Sequence, residues 1–433
     1  MNYLPDFDNR LTDEEREAEL MIIEIAARIQ LSPTQVKTAE QNYEALADYI
    51  DAPGSQLEDS IRNVHPSGSF SIQAPIVGQF KDTQHDVDGV LELIGHEYAD
   101  PEEVLIKVED ALNRPDKEGK TRYQGMVNRQ SRCVTVTYKD GRTVDLMPVF
   151  DLYGQDDPRK SLFHFKEGKT GQLAQSYHKR VGPRLFKSWY LGEEAKLISD
   201  PMVLREYFND TLQKTWSSRQ VLLEKAETEP LPEQKPIKEK SVRTLSVQLL
   251  KRNRDIHYHR TTYRKPPSVL IATLGMQSGF RTKSLLIDEL IAVAGHIRNV
   301  LAKNIRASVE LDVRNPGYTE DLISDRWRGV HDQSVYTRSL DALISDLDLL
   351  KREPRLSERR KILAKHFGEN VSAGVLQKLE ESRSNARAAG RTRVGRNGGI
   401  ITSASTGIAA SVKKTPYGSG LRQPSKKKTP FGG

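Results

Sequence analysis

The sequence predicts an α+β protein, with strands in its first half, helices around and after them, and a basic tail. Three observations carry this. Residues 133–150, "CVTVTYKDGRTVDLMPVF", are two β-rich runs joined at an Asp-Gly turn. From residue 241 on, apolar residues recur at helical spacing in segment after segment. The last fifty or so residues are rich in Gly, Ser, Thr, Lys and Arg, and such a stretch buries too little apolar surface to order itself.

The chain has 433 residues, with 36% hydrophobic and 29% charged. That suits two or three globular domains. No apolar run approaches the ~18 residues of a membrane span. The acidic start, "MNYLPDFDNRLTDEEREAEL", lacks the basic and apolar regions of a signal peptide. Cys133 is the single cysteine, which excludes an internal disulfide framework and a multi-cysteine zinc site. The expected compartment is the reducing cytoplasm. The net charge of +7 belongs to the tail. Eleven of the 66 basic residues lie in 383–433, which holds no acid, leaving 55 basic against 59 acidic residues in the body. A body of that balance does not read as a nucleic-acid binder.

Residues 11–50 read as two helices. Thr12 with Glu15 makes a capping box, and Ile22, Ile25, Ala26 and Ile29 form a helical stripe. Ser32-Pro33 starts the second helix, to about Tyr49. Gly68 to Phe70 is a turn, "DVDGVLEL" (86–93) a strand, and 133–150 a hairpin. Residues 160–200 mix helical pieces with basic and aromatic residues. Residues 225–240, "KAETEPLPEQKPIKEK", are expected to be an exposed connection. Helices are then expected at 241–255, after Pro266-Pro267, at 284–305, at 334–352 and at 356–368.

The chemistry concentrates at Asp86 and Asp88. Strand residues i and i+2 share a face, so these two carboxylates project together while Val87 points to the core. Two ionised carboxylates so close call for a cation, and oxygen ligands suit a hard one, Mg²⁺ or Mn²⁺. An isolated Asp-x-Asp equally describes a solvated edge strand. Two features tip the balance. Gly68-Ser69 can approach and donate to a phosphate. Asp145, flanked by apolar Val144 and Leu146, breaks its strand pattern in the same way. Three strand-borne acids beside a phosphate-binding turn would make a two-metal phosphoryl-transfer site.

"GSF" followed by "DVDGV" and a hairpin bearing "VDLMP" resembles the nucleotidyltransferases built on a polymerase-β-like palm. "LLKRNRD", "KPPSVLIATL", "VRNPGYTEDLISDRW" and "RRKILAKHFGENV" resemble the second lobe of bacterial cyclic GMP-AMP synthase-like nucleotidyltransferases. The likeness spans roughly residues 12–375. It departs in the 18-residue step from Gly68 to Asp86, which leaves the shape of that loop open.

The resemblance implies a mixed-sheet palm with N-terminal helices (1–225), a connection (226–240), a helical lobe (241–382) and a flexible basic tail (383–433). It implies that Asp86, Asp88 and Asp145 hold two Mg²⁺ or Mn²⁺ ions, and that Gly68, Ser69, Lys251 and Ser268 hold the triphosphate of an NTP. Without it, Lys251 beside Arg252 and Arg254 equally reads as a solvated face, and Ser268 as a helix cap. The implied activity is synthesis of a cyclic di- or trinucleotide messenger from ATP, GTP or pyrimidine NTPs, in anti-phage signalling. Tyr177, Trp189 and Tyr190 are candidates for base stacking or for the core. The ten histidines read as non-metal.

The tail has two readings. One is loose contact with nucleic acid or other anions. The other starts from "TPFGG": some family members are conjugated through their C-terminus by a ubiquitin-activating-like partner, and Gly433 would be the acyl group here. Against the synthase stand two alternatives: another palm-type transferase, terminal or protein-modifying, and a non-enzymatic scaffold binding nucleic acid through its tail.

Overall fold

The computed structural model describes residues 11–79, 85–93, 101–130, 132–150, 227–228, 230–259, 261–278, 283, 285–315, 318–388, 392–394 and 400–402. Residues 1–375 form one compact unit and 376–433 a second. Tyr177, Trp189, Tyr190 and Gly433 lie outside the described residues.

Helices α1 (Asp13–Arg28) and α2 (Pro33–Ile50) begin where local chemistry sets them. Glu15 N–H donates to Thr12 Oγ1 at 3.2 Å, and Thr12 N–H to Glu15 Oε2 at 2.9 Å. Ser32 and Gln35 repeat this capping box, with Pro33 at the first helical position.

The sheet has six strands: β1 (Ile61–Ser67), β2 (Asp86–Leu93), β3 (Val127–Arg129), β4 (Val134–Thr137), β5 (Thr143–Phe150) and β6 (Glu227–Thr228). Their order is β3-β4-β5-β2-β1-β6. β2 runs parallel to β5 and antiparallel to β1, and β4–β5 is the expected hairpin. On one face, Val87, Leu91, Leu93, Val134, Val136, Val144 and Leu146 pack with Tyr43, Leu46 and Ile50 of α2. Val104, Val108 and Leu112 of α4 (Pro101–Asn113) join the same core. A one-residue slip of β2 would expose Val87, Leu91 and Leu93, each worth about 1.5–3 kcal/mol when buried. That burial fixes which residues of β2 and β5 face the other way. Gly89 sits on the core side, where a Cβ would press on Leu146 and Tyr43 at 3.1 Å. β4 pairs with β5 only as far as Leu146, so Pro148 falls beyond the doubly paired stretch.

The second half supplies α5 (Val242–Tyr258), α6 (Ser268–Met276), α7 (Leu286–Ala307), α8 (Val330–Leu350), α9 (Leu356–Phe367) and α10 (Glu369–Ala388). A short hairpin, β7 (Arg314–Asn315) with β8 (Tyr318–Leu322), interrupts them. α1 packs on α5 and α7. Its Glu19, 1% exposed, caps α7, which has no side-chain cap of its own. Leu286 N–H and Ile287 N–H donate to the two Glu19 oxygens at 2.7 and 2.9 Å. Burial pushes this carboxyl up to about 7, against the pull of those two bonds.

Two expectations need correction. Residues 225–240 are not simply exposed: Leu231, Gln234 and Lys240 are buried and Glu227–Thr228 joins the sheet beside β1. The prolines there have no N–H to lose, and the segment's polar groups bond inward, as described below. The stretch from 383 is not wholly without structure either. α10 runs to Ala388, and Thr392–Val394 pairs with Ile400–Thr402. The segment 226–240 lies within one unit and does not divide two compact ones.

Candidate active site

The register places Asp88 opposite Asp145 and Asp86 opposite Thr143 across the parallel β2–β5 pair. Neighbouring strands lie about 4.8 Å apart. All three acids share the face turned away from α2 and α4, because Val87, Val144 and Leu146 occupy the other. Thr135 of β4 lies opposite Asp145 on the same face. Further along that face the surface turns apolar, with Val90 and Met147 packed by Cys133.

The Gly-Ser turn is built against these acids. β1 ends at Ser67, opposite Asp88, and the chain turns at once through Gly68–Ser71. Gly68 has φ +58°, and a Cβ there would overlap the Asp88 carboxylate. Only glycine admits this approach at little cost. Ser69 is half-buried on the turn.

What holds the turn was not visible as a motif. Gln73 takes a left-handed conformation, φ +59°. Its Nε2 donates to Glu233 O at 2.9 Å, and its Oε1 accepts from Lys235 N at 2.8 Å. Gln234 Nε2 donates to Phe70 O at 3.1 Å. The segment first read as an exposed connection therefore clamps the turn. From the helical side, Gln248 Nε2 donates to Pro75 O and Lys251 Nζ to Ala74 O, both at 2.7 Å.

Lys251 is thus placed near the acids but engaged with backbone. Burial, with Arg254 pushing the same way, lowers its ammonium to about 8 against the upward pull of Asp255, Asp88 and Asp86. Ser268 opens α6 as its first residue; Pro267 is the cap. Its Oγ accepts from Arg254 Nη1 at 2.9 Å, and α6 packs beside the Gly68–Ser71 turn. His85 is buried against Phe70, with ring centroids 6.3 Å apart, and burial holds its imidazole below the ordinary value.

The donor set of three carboxylates suits a hard dication. As the side chains stand, no three His, Cys, Asp or Glu groups among the described residues could hold a metal ion together. Two of the acids are turned to hydroxyls instead. Asp86 Oδ1 accepts from Thr143 Oγ1 at 2.5 Å, and Asp145 Oδ1 from Thr135 Oγ1 at 2.7 Å. The backbone register puts the three acids on one face, with two of them held by threonines. The threonines were legible in principle: the Asp-Gly hairpin already sets Thr135 across from Asp145.

A family model for the second messenger oligonucleotide or dinucleotide synthetase domain matches residues 22–159. The cyclic dinucleotide synthase CdnG of Bradyrhizobium diazoefficiens is 28% identical over 353 residues, covering 81% of this chain and 80% of that protein. Its structure, solved in complex with GTP, superposes with a TM-score of 0.59 at 25% identity, over 82% of this chain and 96% of that one. A c-di-GMP synthase of Roseivirga ehrenbergii is 23% identical over 329 residues, 71% of this chain and 76% of that protein. The mixed sheet, its two backing helices and this match make the chain a nucleotidyltransferase with a polymerase-β-like palm. Within that class it is similar to the bacterial cyclic GMP-AMP synthase-like enzymes, the CD-NTases, among them the cyclic dinucleotide synthase CdnG.

Among the described residues no helix is long and apolar enough to cross a membrane.

Proposed function

We propose that the protein makes a cyclic dinucleotide from NTPs, GTP among them, at the face shared by Asp86, Asp88 and Asp145. The observation that carries this is the register, with Asp88 opposite Asp145 and Asp86 two residues along the same face. The support for GTP is that one relative is named a c-di-GMP synthase and another was solved with GTP bound.

In this reading the three carboxylates hold two Mg²⁺ or Mn²⁺ ions, which offset charge on the entering and leaving oxygens when bound. Gly68 lets the backbone meet the donor triphosphate, and Ser69 donates to it. Lys251 and Arg254, on the helical side, offset charge on the departing pyrophosphate, and Ser268 donates a hydrogen bond to it. A ribose hydroxyl of one nucleotide attacks the α-phosphate of another; a second such attack within the linear product closes the ring.

Incubation with the four NTPs and Mg²⁺, without any acceptor, tests the reading by mass spectrometry. The expected product is a cyclic dinucleotide containing guanine. NTPs left unconsumed would point to a palm-type transferase that needs an acceptor. A scaffold acting through its tail predicts loss of function on deleting 383–433 and none in Asp86→Asn.

The reading extends to anti-phage signalling, on family likeness. Plaque counts on cells carrying the wild type should fall below those with Asp86→Asn/Asp88→Asn; equal counts reject that role. Conjugation of Gly433 by a ubiquitin-activating-like partner rests on the "TPFGG" run. One residue appended after Gly433 should abolish any conjugate on a blot.

A further inference from the structure

A cleft of about 310 Å³ opens between α5, α8, α9 and the loop after α5. It is separate from the acid face. Asn253 and His257, which line it, stand about 200° and 240° round the helix from Lys251. Most of its remaining polar edge is cationic or neutral nitrogen: Arg338, Lys365 and His366.

Among the described residues a single carboxylate is hydrogen-bonded to this edge. Asp346 accepts from Lys365 Nζ at 2.7 Å and lies 2.8 Å from His366 Nε2. It serves two groups and leaves Arg338 out. Arg338 has no ion pair or hydrogen bond among the described residues, although it acts on the His257 ring. Burial holds both imidazoles below their ordinary value, and Lys365 is offset by Asp346, so the uncompensated positive charge on offer is that of Arg338. At the floor, Asn253 is 2% exposed, and its Nδ2 is 3.0 Å from His366 Nδ1. Its Oδ1 is buried with no partner. A buried acceptor left over costs about 1–3 kcal/mol, and a hydroxyl donor from a ligand would recover it. At the mouth, the Tyr263 ring is 46% exposed beside His331, with centroids 5.4 Å apart.

An anion, a hydroxyl donor and a flat face are thus requested together, in a volume at the small end of ligand pockets. We propose that this cleft is a second nucleotide site, taking a nucleoside monophosphate with its phosphate on Arg338, a ribose hydroxyl on Asn253 Oδ1 and its base over Tyr263. Arg338 suits the phosphate because its planar fork can donate twice to two oxygens. The site stands whether or not the catalytic assignment does.

The test uses the full chain carrying Asp86→Asn/Asp88→Asn, in EDTA, which weakens nucleotide binding at the acid face. Calorimetric titration with GMP, AMP and inorganic phosphate should give one saturable event with a nucleotide. Arg338→Glu should weaken it at least tenfold and Tyr263→Ala several-fold. Arg338→Gln, which keeps the bulk and loses the charge, should repeat the first loss if the melting temperature of Arg338→Glu has dropped. Bound nucleotide should raise the NMR-titrated pKa values of His257 and His366, because a nearby anion favours imidazolium. No saturable binding, or binding untouched by both Arg338 variants, overturns the proposal. Inorganic phosphate binding as tightly as the nucleotide, with Tyr263→Ala silent, overturns its nucleoside half.

Discussion

On the sheet side of the candidate site, Asp86, Asp88 and Asp145 owe their common face to a period of two. On the helical side, Lys251 and Ser268 have no such period to place them, and each is engaged in structure, with Ala74 O and with Arg254. The difference teaches where chemistry can be read from a chain. A strand pinned by a core on one face leaves its alternate residues a single direction. A helix buried on most of its surface, as α5 is from Arg243 to Arg254, offers its polar groups several partners, and folding decides among them.

The largest break in this comparison should come from the sheet side. Asp86→Asn with Asp88→Asn is expected to lower turnover at least about a thousandfold, since metal charge stabilisation is worth several kcal/mol. Stability should stay level or rise, because like charges leave one face. Product formation and a melting curve check both halves. A large fall in melting temperature would make the pair structural.

Next comes Gly68→Ala. It combines a left-handed backbone, costing roughly 1–2 kcal/mol for a residue with a Cβ, with overlap on the Asp88 carboxylate. Turnover should fall by about 100-fold, on the scale of losing one aligned catalytic contact. Gly54, with φ +85° and open space around it, is the control. Gly54→Ala should carry the strain alone and keep full activity.

These two regions also mark how much was legible. The hairpin, the shared face of Asp86 and Asp88, the first capping box and the run of second-half helices followed from local rules, each needing only neighbours a few residues away; that Asp145 joins those two acids depends on the β2–β5 pairing, 57 residues apart, and was implied only by the family resemblance. Gln73 followed from neither. Its role depends on residues 233–235, some 160 positions later, which carry no periodic signal. The burial of Lys240 was hidden for the same reason. Its ammonium reaches Gln30 Oε1 at 2.8 Å, just past the end of α1 and 210 positions away in sequence. Composition marked residues 225–240 as polar, and polarity alone does not separate an exposed segment from one whose polar groups are satisfied inside.

The helical side can be tested through pH. Burial lowers Lys240 to about 7, with Lys251 pushing the same way, and lowers Lys251 itself to about 8, against an ordinary 10.5. Between the folded and unfolded values the unfolded chain binds more protons, so stability rises with pH across that window. From pH 7 to 9 the gain should be on the order of 2 kcal/mol per lysine at most. Glu19, raised to about 7, gives the opposite slope, but mainly below this range. Urea unfolding at the two pH values measures the rise, and Lys240→Met should remove its share. A flat profile would mean that both ammonium groups reach water.

The smallest effect returns to the sheet side and sharpens the contrast most. Thr143 and Thr135 donate to the outer two carboxylates at 2.5 and 2.7 Å. If these bonds orient the acids, Thr143→Val keeps the β-branched shape and removes only the donor. The Mg²⁺ concentration giving half-maximal rate should then rise several-fold, while the rate at saturating Mg²⁺ stays within about twofold. A net hydrogen bond to a charged group is worth about 1.5–3 kcal/mol, and dication binding itself replaces part of it, which keeps the effect modest. Thr137, on the same face of β4 but opposite Thr143 rather than an acid, should tolerate valine with no change in Mg²⁺ dependence. Equal shifts at 137 and 143 would trace the effect to general strand packing. A shift at 143 alone assigns it to the bond with Asp86, and so to a contact the strand period sets with no help from the helices.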